Sequence, residues 1–262
     1  MTIDPDQHLE IAVYAASRWQ IDPATISYVN SDYHSVYKVR HLGQPAFLRL
    51  AEPRIRSFAE TQAECDFLAH LEEADITIAQ PIRSLRNRSV ESVTAPGDAS
   101  GALWSAVLFT AALGDAIPLR GSAASEAIAE AWGRNLGRIH CAAAGFRPVP
   151  GWQRKHWNEE AWIRDAPLLL PANDEYLRLQ FEVLMAFFRD LPQTQENYGL
   201  NHGDYAPDHV HVTGEGALTT FAFGHAGYHW FMWDVAAALS YALQLPKNAR
   251  HRVRTAFLRG YS

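Results

Sequence analysis

Between Gly199 and Trp233 the chain reads GLNHGDYAPDHVHVTGEGALTTFAFGHAGYHWFMW, and few folds accommodate such a run. Gly199 to Asn201 leads into the turn-prone residues His202 to Asp208. His209-Val210-His211-Val212 then alternates at the two-residue period of a half-buried strand. Thr213-Gly214-Glu215-Gly216 supplies a hairpin turn, since its glycines tolerate the positive φ that tight turns require. Ala217 to Phe223 is the return strand, broken by Gly224-His225-Ala226-Gly227. A hairpin between two polar loops presents both loops at one end, with Asp204 at the centre of the space they share.

The rest of the chain supplies the frame. Strands are predicted at Ile26–Val29, Tyr37–Val39, Ala46–Leu50 and Trp104–Phe109. Helical spacing is predicted over Gln7–Trp19, Ser57–Leu71, Ser125–Ala143, Glu175–Arg189 and Met232–Leu243, with Ser122 or Ser125 capping the third. In the helix from Glu175, residues Leu177, Phe181, Leu184, Phe187 and Phe188 are expected to be buried. A net charge of −6 leaves no basic footprint, which argues against nucleic acid as a partner. Cys65 and Cys141 match no metal or redox spacing and read as buried free thiols. Asp4, Asp6 and Glu10 interrupt any apolar run at the start, and nothing reaches a membrane-spanning length, so the reading is a cytoplasmic protein.

The Gly199–Trp233 stretch resembles the catalytic segment of the aminoglycoside phosphotransferase and choline kinase-like family, small-molecule kinases that share the protein-kinase fold. His202-Gly203-Asp204 matches the start of the family pattern HGDxxxxN, and Phe223-Gly224 falls on its DF followed by G or D. The resemblance implies an α+β, protein-kinase-like two-lobed fold: a small antiparallel-sheet N-lobe over residues 1–109 and a mostly helical C-lobe over 110–262. It implies ATP and Mg²⁺ as cofactors and a small-molecule acceptor. Asp204 falls on the catalytic base, which takes the acceptor hydroxyl's proton. Arg49 falls on the strand cation that meets the phosphates, and Glu64 on the helix glutamate paired with it. The loop Asn30–Ser35, including Ser31, would cover the phosphates, and Phe109 to Ala112, including Ala111, would form the hinge beside adenine. The insert Gly151–Asp165 borders the acceptor pocket in this family, which makes Trp157, Glu160 and Trp162, with Tyr205 beside the base, the substrate-binding expectation. Aromatic rings with carboxylates suit a cationic or sugar-like ligand, whereas tryptophans also anchor irregular inserts to a core. Asp234 falls on the aspartate that braces the catalytic loop, and His140 on a core histidine.

Two positions depart from the pattern. His209 stands where the family has Asn, and Ala222 where it has the metal-binding Asp. Alanine offers no ligand, and imidazole nitrogen suits Zn²⁺ or Ni²⁺ better than Mg²⁺. A metal held here would need Asp208, Asp204 or Asp32. Losing one charge-stabilising group of this kind typically costs ~10²–10³ in rate. Three readings stay open: a phosphotransferase with a rearranged metal site, a pseudokinase-type binding or regulatory module, and a non-kinase enzyme reusing Asp204 and His209 as catalytic acid–base residues.

Overall fold

The computed structural model describes residues 5–30, 34–94, 101–119 and 125–262. Helix α1 (Pro5–Ala16) precedes three strands, β1 (Ser27–Asn30), β2 (Ser35–His41) and β3 (Gln44–Ala51). Helix α2 (Phe58–Glu73) follows, then β4 (Pro81–Ile82), β5 (Glu91–Thr94) and β6 (Leu103–Thr110). These strands form one antiparallel sheet in the order β1-β2-β3-β6-β4, with β5 also on β6. The alternation in β2 explains its place: Tyr37 and Val39 are buried while Lys38 and Arg40 are exposed. Tyr37, Val39, Leu48 and Leu50 meet Ile11, Ala15 and Trp19 in one apolar cluster, so α1 covers this face.

Past β7 (Asp115–Ala116) the chain is mainly helical. Its elements are α3 (Glu126–Gly145), α4 (Ala161–Arg164), α5 (Ala166–Leu169), α6 (Glu175–Asp190), α7 (Met232–Ala242) and α8 (Lys247–Tyr261). Between α6 and α7 run β8 (Tyr198–Asn201), β9 (Val210–Val212), β10 (Leu218–Thr220) and β11 (Gly227–Trp230). Strands β9 and β10 form the anticipated hairpin, and β7 adds to β9; β8 pairs with β11 in a separate two-stranded ribbon. Ser125 is the residue that caps α3, accepting from the Ile128 amide. Trp132, Leu136 and Ile139 of α3 pack with Phe67, Leu68 and Leu71 of α2 in the second apolar cluster. Helices α3 and α8 touch backbone to backbone. A Cβ at Gly133 would lie 1.9 Å from the Phe257 carbonyl oxygen, so only glycine fits there.

The α+β architecture, with its antiparallel sheet and helical portion, is as anticipated. Two expectations are corrected. Helix α6 forms, but none of its residues is buried; Phe188 leans on Trp157 and Trp230, while Leu177, Leu184 and Phe187 are exposed. An amphipathic stripe identifies a helix without fixing which neighbour covers it. Cys141 is exposed, because it lies off the α3 stripe that faces α2, whereas Cys65 is buried as expected. Helix α8 and the β8–β11 ribbon went unanticipated. Among the described residues no helix is long and apolar enough to cross a membrane.

Candidate active site

The loop after β8 carries Asp204, and the chain holds it from beneath. Gly203 sits at φ +87°, and a Cβ there would come within 2.1 Å of the His225 carbonyl oxygen, so the loop can pass only as glycine. Asp234 at the start of α7 accepts the amides of His202 at 2.7 Å and Gly203 at 2.8 Å, and its other neighbour is His140 Nε2 at 3.1 Å. Burial alone would raise the Asp234 carboxyl; the hydrogen bond and charge of His140, with His202 and the Gly203 amide, hold it below the usual range instead. The brace assigned to Asp234 from the sequence has this geometry. His202 is also locked: Nε2 donates to the Phe221 carbonyl at 2.8 Å and Nδ1 accepts the Asp204 amide at 3.3 Å. Burial pushes its imidazole down to about 4, so it is a neutral strut.

Asp204 itself remains open, its side chain 37% exposed. His209 donates Nδ1–H to the Asp204 carbonyl at 2.8 Å, and that nitrogen is 3.5 Å from Oδ2 of the carboxylate. The two candidate catalytic residues are therefore adjacent, but His209 spends one nitrogen on the loop backbone. His225 flanks them, its imidazole held low by burial against the raising effect of Asp204.

On the sheet side, Arg49 of β3 and Glu64 of α2 form a bidentate pair, Nη1–Oε1 at 2.7 Å and Nη2–Oε2 at 2.8 Å, both buried. Burial would raise the Glu64 carboxyl, and the charge and hydrogen bonds of Arg49 pull it below its ordinary value. The Arg49 guanidinium lies 4.9 Å from the Phe109 ring centroid, because β3 and β6 pair side by side. Ala111 follows directly on β6, part-buried. Ser31 and Asp32 lie outside the described residues. His34, from the same loop, packs on Gly224 so closely that a Cβ there would meet its ring at 2.7 Å.

The expected acceptor contacts divide. Tyr205 is fully buried, its hydroxyl donating to the Trp132 carbonyl at 3.2 Å and accepting from Asn135 at 2.8 Å, so its side chain belongs to the core. Trp157 is buried too, packed on Phe188 and Trp230. Glu160 is committed to Arg56 at 2.9 Å and is also buried. Trp162 alone of the four is exposed, its ring 6.1 Å from Trp233, whose indole N–H donates to the Gly203 carbonyl. A tryptophan pair thus stands beside the Asp204 loop. Sequence reasoning missed Arg56 and Arg154, both almost wholly buried near Glu60 and Glu64. Charged residues in irregular segments carry no periodicity, and the only local signal was the Ser57–Glu60 capping box that follows Arg56.

Among the described residues, the donors do not converge as a divalent-metal site. Ala222 brings no ligand, and it holds the left-handed conformation, φ 66° and ψ 39°. Asp208 is exposed on the short turn after Ala206. Among the described residues, no three of His, Cys, Asp and Glu converge as a metal would require. The arrangement comprises a braced, accessible Asp204 carboxylate and an Arg49 guanidinium held bidentately by the buried Glu64.

The profile of the Phosphotransferase enzyme family matches residues 25–262, and the chain belongs to that family. Among curated proteins it is similar to amicoumacin kinase of Bacillus subtilis (strain 168), 27% identical over 243 residues, covering 90% of this chain and 69% of that protein. Among solved structures it resembles an amicoumacin kinase in complex with AMP-PNP, Ca²⁺ and Ami, with a TM-score of 0.87 at 23% identity, over 99% of this chain and 77% of the other. A microcompartment-associated aminopropanol kinase superposes with a TM-score of 0.77 at 20% identity, over 96% and 79%. These likenesses fix the fold as that of small-molecule kinases.

Proposed function

We propose that this protein transfers the γ-phosphoryl group of ATP to the hydroxyl of a small molecule. Phe109 and Ala111 line the adenine end, and Arg49, aimed by Glu64, meets the phosphates. Asp204 takes the proton as the acceptor oxygen forms its bond to phosphorus and the bridging bond to ADP breaks. His209 fixes the Asp204 backbone and is the second residue at the reacting end. Trp162 with Trp233 offers aromatic faces to the acceptor, which suits an amine-bearing or sugar-like molecule. Aminopropanol, the substrate in one structural relative's name, is by that name an amino alcohol. The observation that carries the reading is the Asp234 carboxylate, whose two backbone amide bonds and complete burial hold an accessible Asp204 in position.

A second reading has one observation in its favour. Alanine at the metal position suits a module that binds nucleotide or another ligand without transferring phosphate. One experiment separates the two: calorimetric ATP binding and ADP release with a panel of amino alcohols and amino sugars, on the wild type and Asp204→Asn. The expected result is acceptor-dependent ADP release that disappears in Asp204→Asn while ATP binding is retained. ATP binding with no acceptor-dependent turnover would favour the binding module, and no ATP binding would overturn the transferase reading and the nucleotide-binding form of the module.

A further inference from the structure

Arg154 lies in the insert that leads to Trp157, outside every role assigned so far, and its side chain is wholly buried. Its fork reaches two parts of the molecule. Nε donates to the Ala226 carbonyl at 2.5 Å, Nη2 to the Gly224 carbonyl at 2.6 Å, and Nη1 to the Glu60 carbonyl at 3.4 Å. Nη1 is also 3.6 Å from Glu64 Oε2. Two of these acceptors belong to the turn that begins just after Ala222, and two to α2. A planar guanidinium with five donors bridges such a set; an ammonium on a flexible stem does not.

A network of ion pairs among the described residues surrounds it. Arg49, Arg56, Arg154 and Lys155 face Glu60, Glu64 and Glu160, four cations against three carboxylates. Glu64 is shared between Arg49 and Arg154, so Arg49 is not neutralised by its partner alone. Arg49 Nε is buried and finds no hydrogen-bond partner among the described residues. A buried charged donor left without an acceptor is costly unless a ligand satisfies it. The vacant donor on Arg49 calls for an anion.

We propose that Arg154 is a positioning residue for nucleotide phosphates: it ties the Gly224–Ala226 turn to Glu64 and so aims Arg49, in a loop whose metal-binding carboxylate is absent. This rests on the phosphotransferase reading. Above Gly224 the ring of His34 closes the space, so the turn, His34 and Arg49 form one packed unit that Arg154 holds from below. Burial and the neighbouring Arg56 lower the Arg154 guanidinium to about 10, which still leaves it charged at neutral pH.

The test compares ATP with adenosine, which lacks the phosphates. Calorimetric Kd values for both, measured in EDTA, are taken on the wild type, Arg154→Met and Arg154→Lys, each checked for a cooperative thermal transition. The expected result is a loss of ATP affinity of about tenfold or more in Arg154→Met, the size of one charge-assisted hydrogen bond. Adenosine binding stays within about twofold, and Arg154→Lys falls between on ATP alone. Parallel loss of ATP and adenosine, or an unchanged ATP Kd, would overturn the proposal by making Arg154 a structural strut or a bystander. If Arg154→Met fails to fold, Arg154→Lys carries the same comparison. A wild type that binds adenosine but gains nothing from the phosphates would refute Arg154's role directly. A wild type that binds neither would bring down the phosphotransferase reading and this inference with it.

Discussion

Replacing Ala222 by aspartate should both stabilise the fold and give it metal-dependent nucleotide affinity. Ala222 holds φ 66° and ψ 39°, where a Cβ crowds the following carbonyl oxygen at a cost of roughly 1–2 kcal/mol. Aspartate and asparagine tolerate this region better, because a short polar side chain hydrogen-bonds locally. Residue 222 is exposed, so a new carboxylate there escapes the desolvation penalty of a buried charge. If half the strain is recovered, the gain is about 0.5–1 kcal/mol, which for a chain of this size raises the thermal midpoint by ~1–4 °C. Ala222→Asn should show the same rise, since it shares the backbone preference without the charge. Ala222→Asp alone should then tighten ATP binding in excess Mg²⁺ over EDTA by about tenfold or more, as a restored metal contact would. Differential scanning fluorimetry reads the first effect and calorimetry the second. A lowered midpoint in both variants would refute the strain argument. Equal Mg²⁺ dependence in the Asp and Asn variants would refute the reading of position 222 as the vacant ligand position.

Two further outcomes follow from other parts of the molecule. Burial lowers the imidazoles of His202 and His229 to about 4, against 6.5 in the unfolded chain. Their contribution to stability is therefore complete above pH 6.5 and is lost as the pH falls toward 4, at about 1.4 kcal/mol per pH unit for each histidine. Urea unfolding across that window should show the slope, and His229→Asn should remove about half of it; a flat profile would contradict the assignment. At the α3–α8 contact, Gly133→Ala should cost about 1–3 kcal/mol or more through the clash with Phe257, while Gly214→Ala, with open space around it, should stay within about 0.5 kcal/mol. Equal denaturation midpoints for the two would show that the helices separate freely.

How far the sequence could be read depended on whether the information was local. The Asp204 loop, its hairpin and the Arg49–Glu64 pair were legible because each lies in a motif or a clear periodic element, and the hairpin and the bidentate pair both form. The contacts of Tyr205, Trp157 and Glu160 were not. Each is a residue type that suits a ligand, and each is instead consumed by a neighbour from far along the chain: Asn135, Trp230 and Arg56. Arg154 was invisible for the same reason, since its partners lie in α2 and in the turn after Ala222. Helix α8 was obscured by composition, a polar and basic run whose buried residues are only Val253, Ala256 and Phe257. The β8–β11 ribbon hid behind glycines and a short buried run that lacks strand alternation. For α6 the periodicity was legible but the burial was not, because an apolar stripe does not say what covers it.

The contact between α3 and α8 also sets a clock. Strands β1, β2 and β3 pair with immediate neighbours and can close as they are made. Trp132 cannot reach its place, because Phe257, whose ring stands 4.9 Å away, is synthesised more than a hundred residues later. At about 5–20 residues per second, the α3 stripe waits for roughly 6–25 seconds with this side uncovered. During translation, then, the exposure of this stripe to aggregation is governed by how quickly α8 arrives.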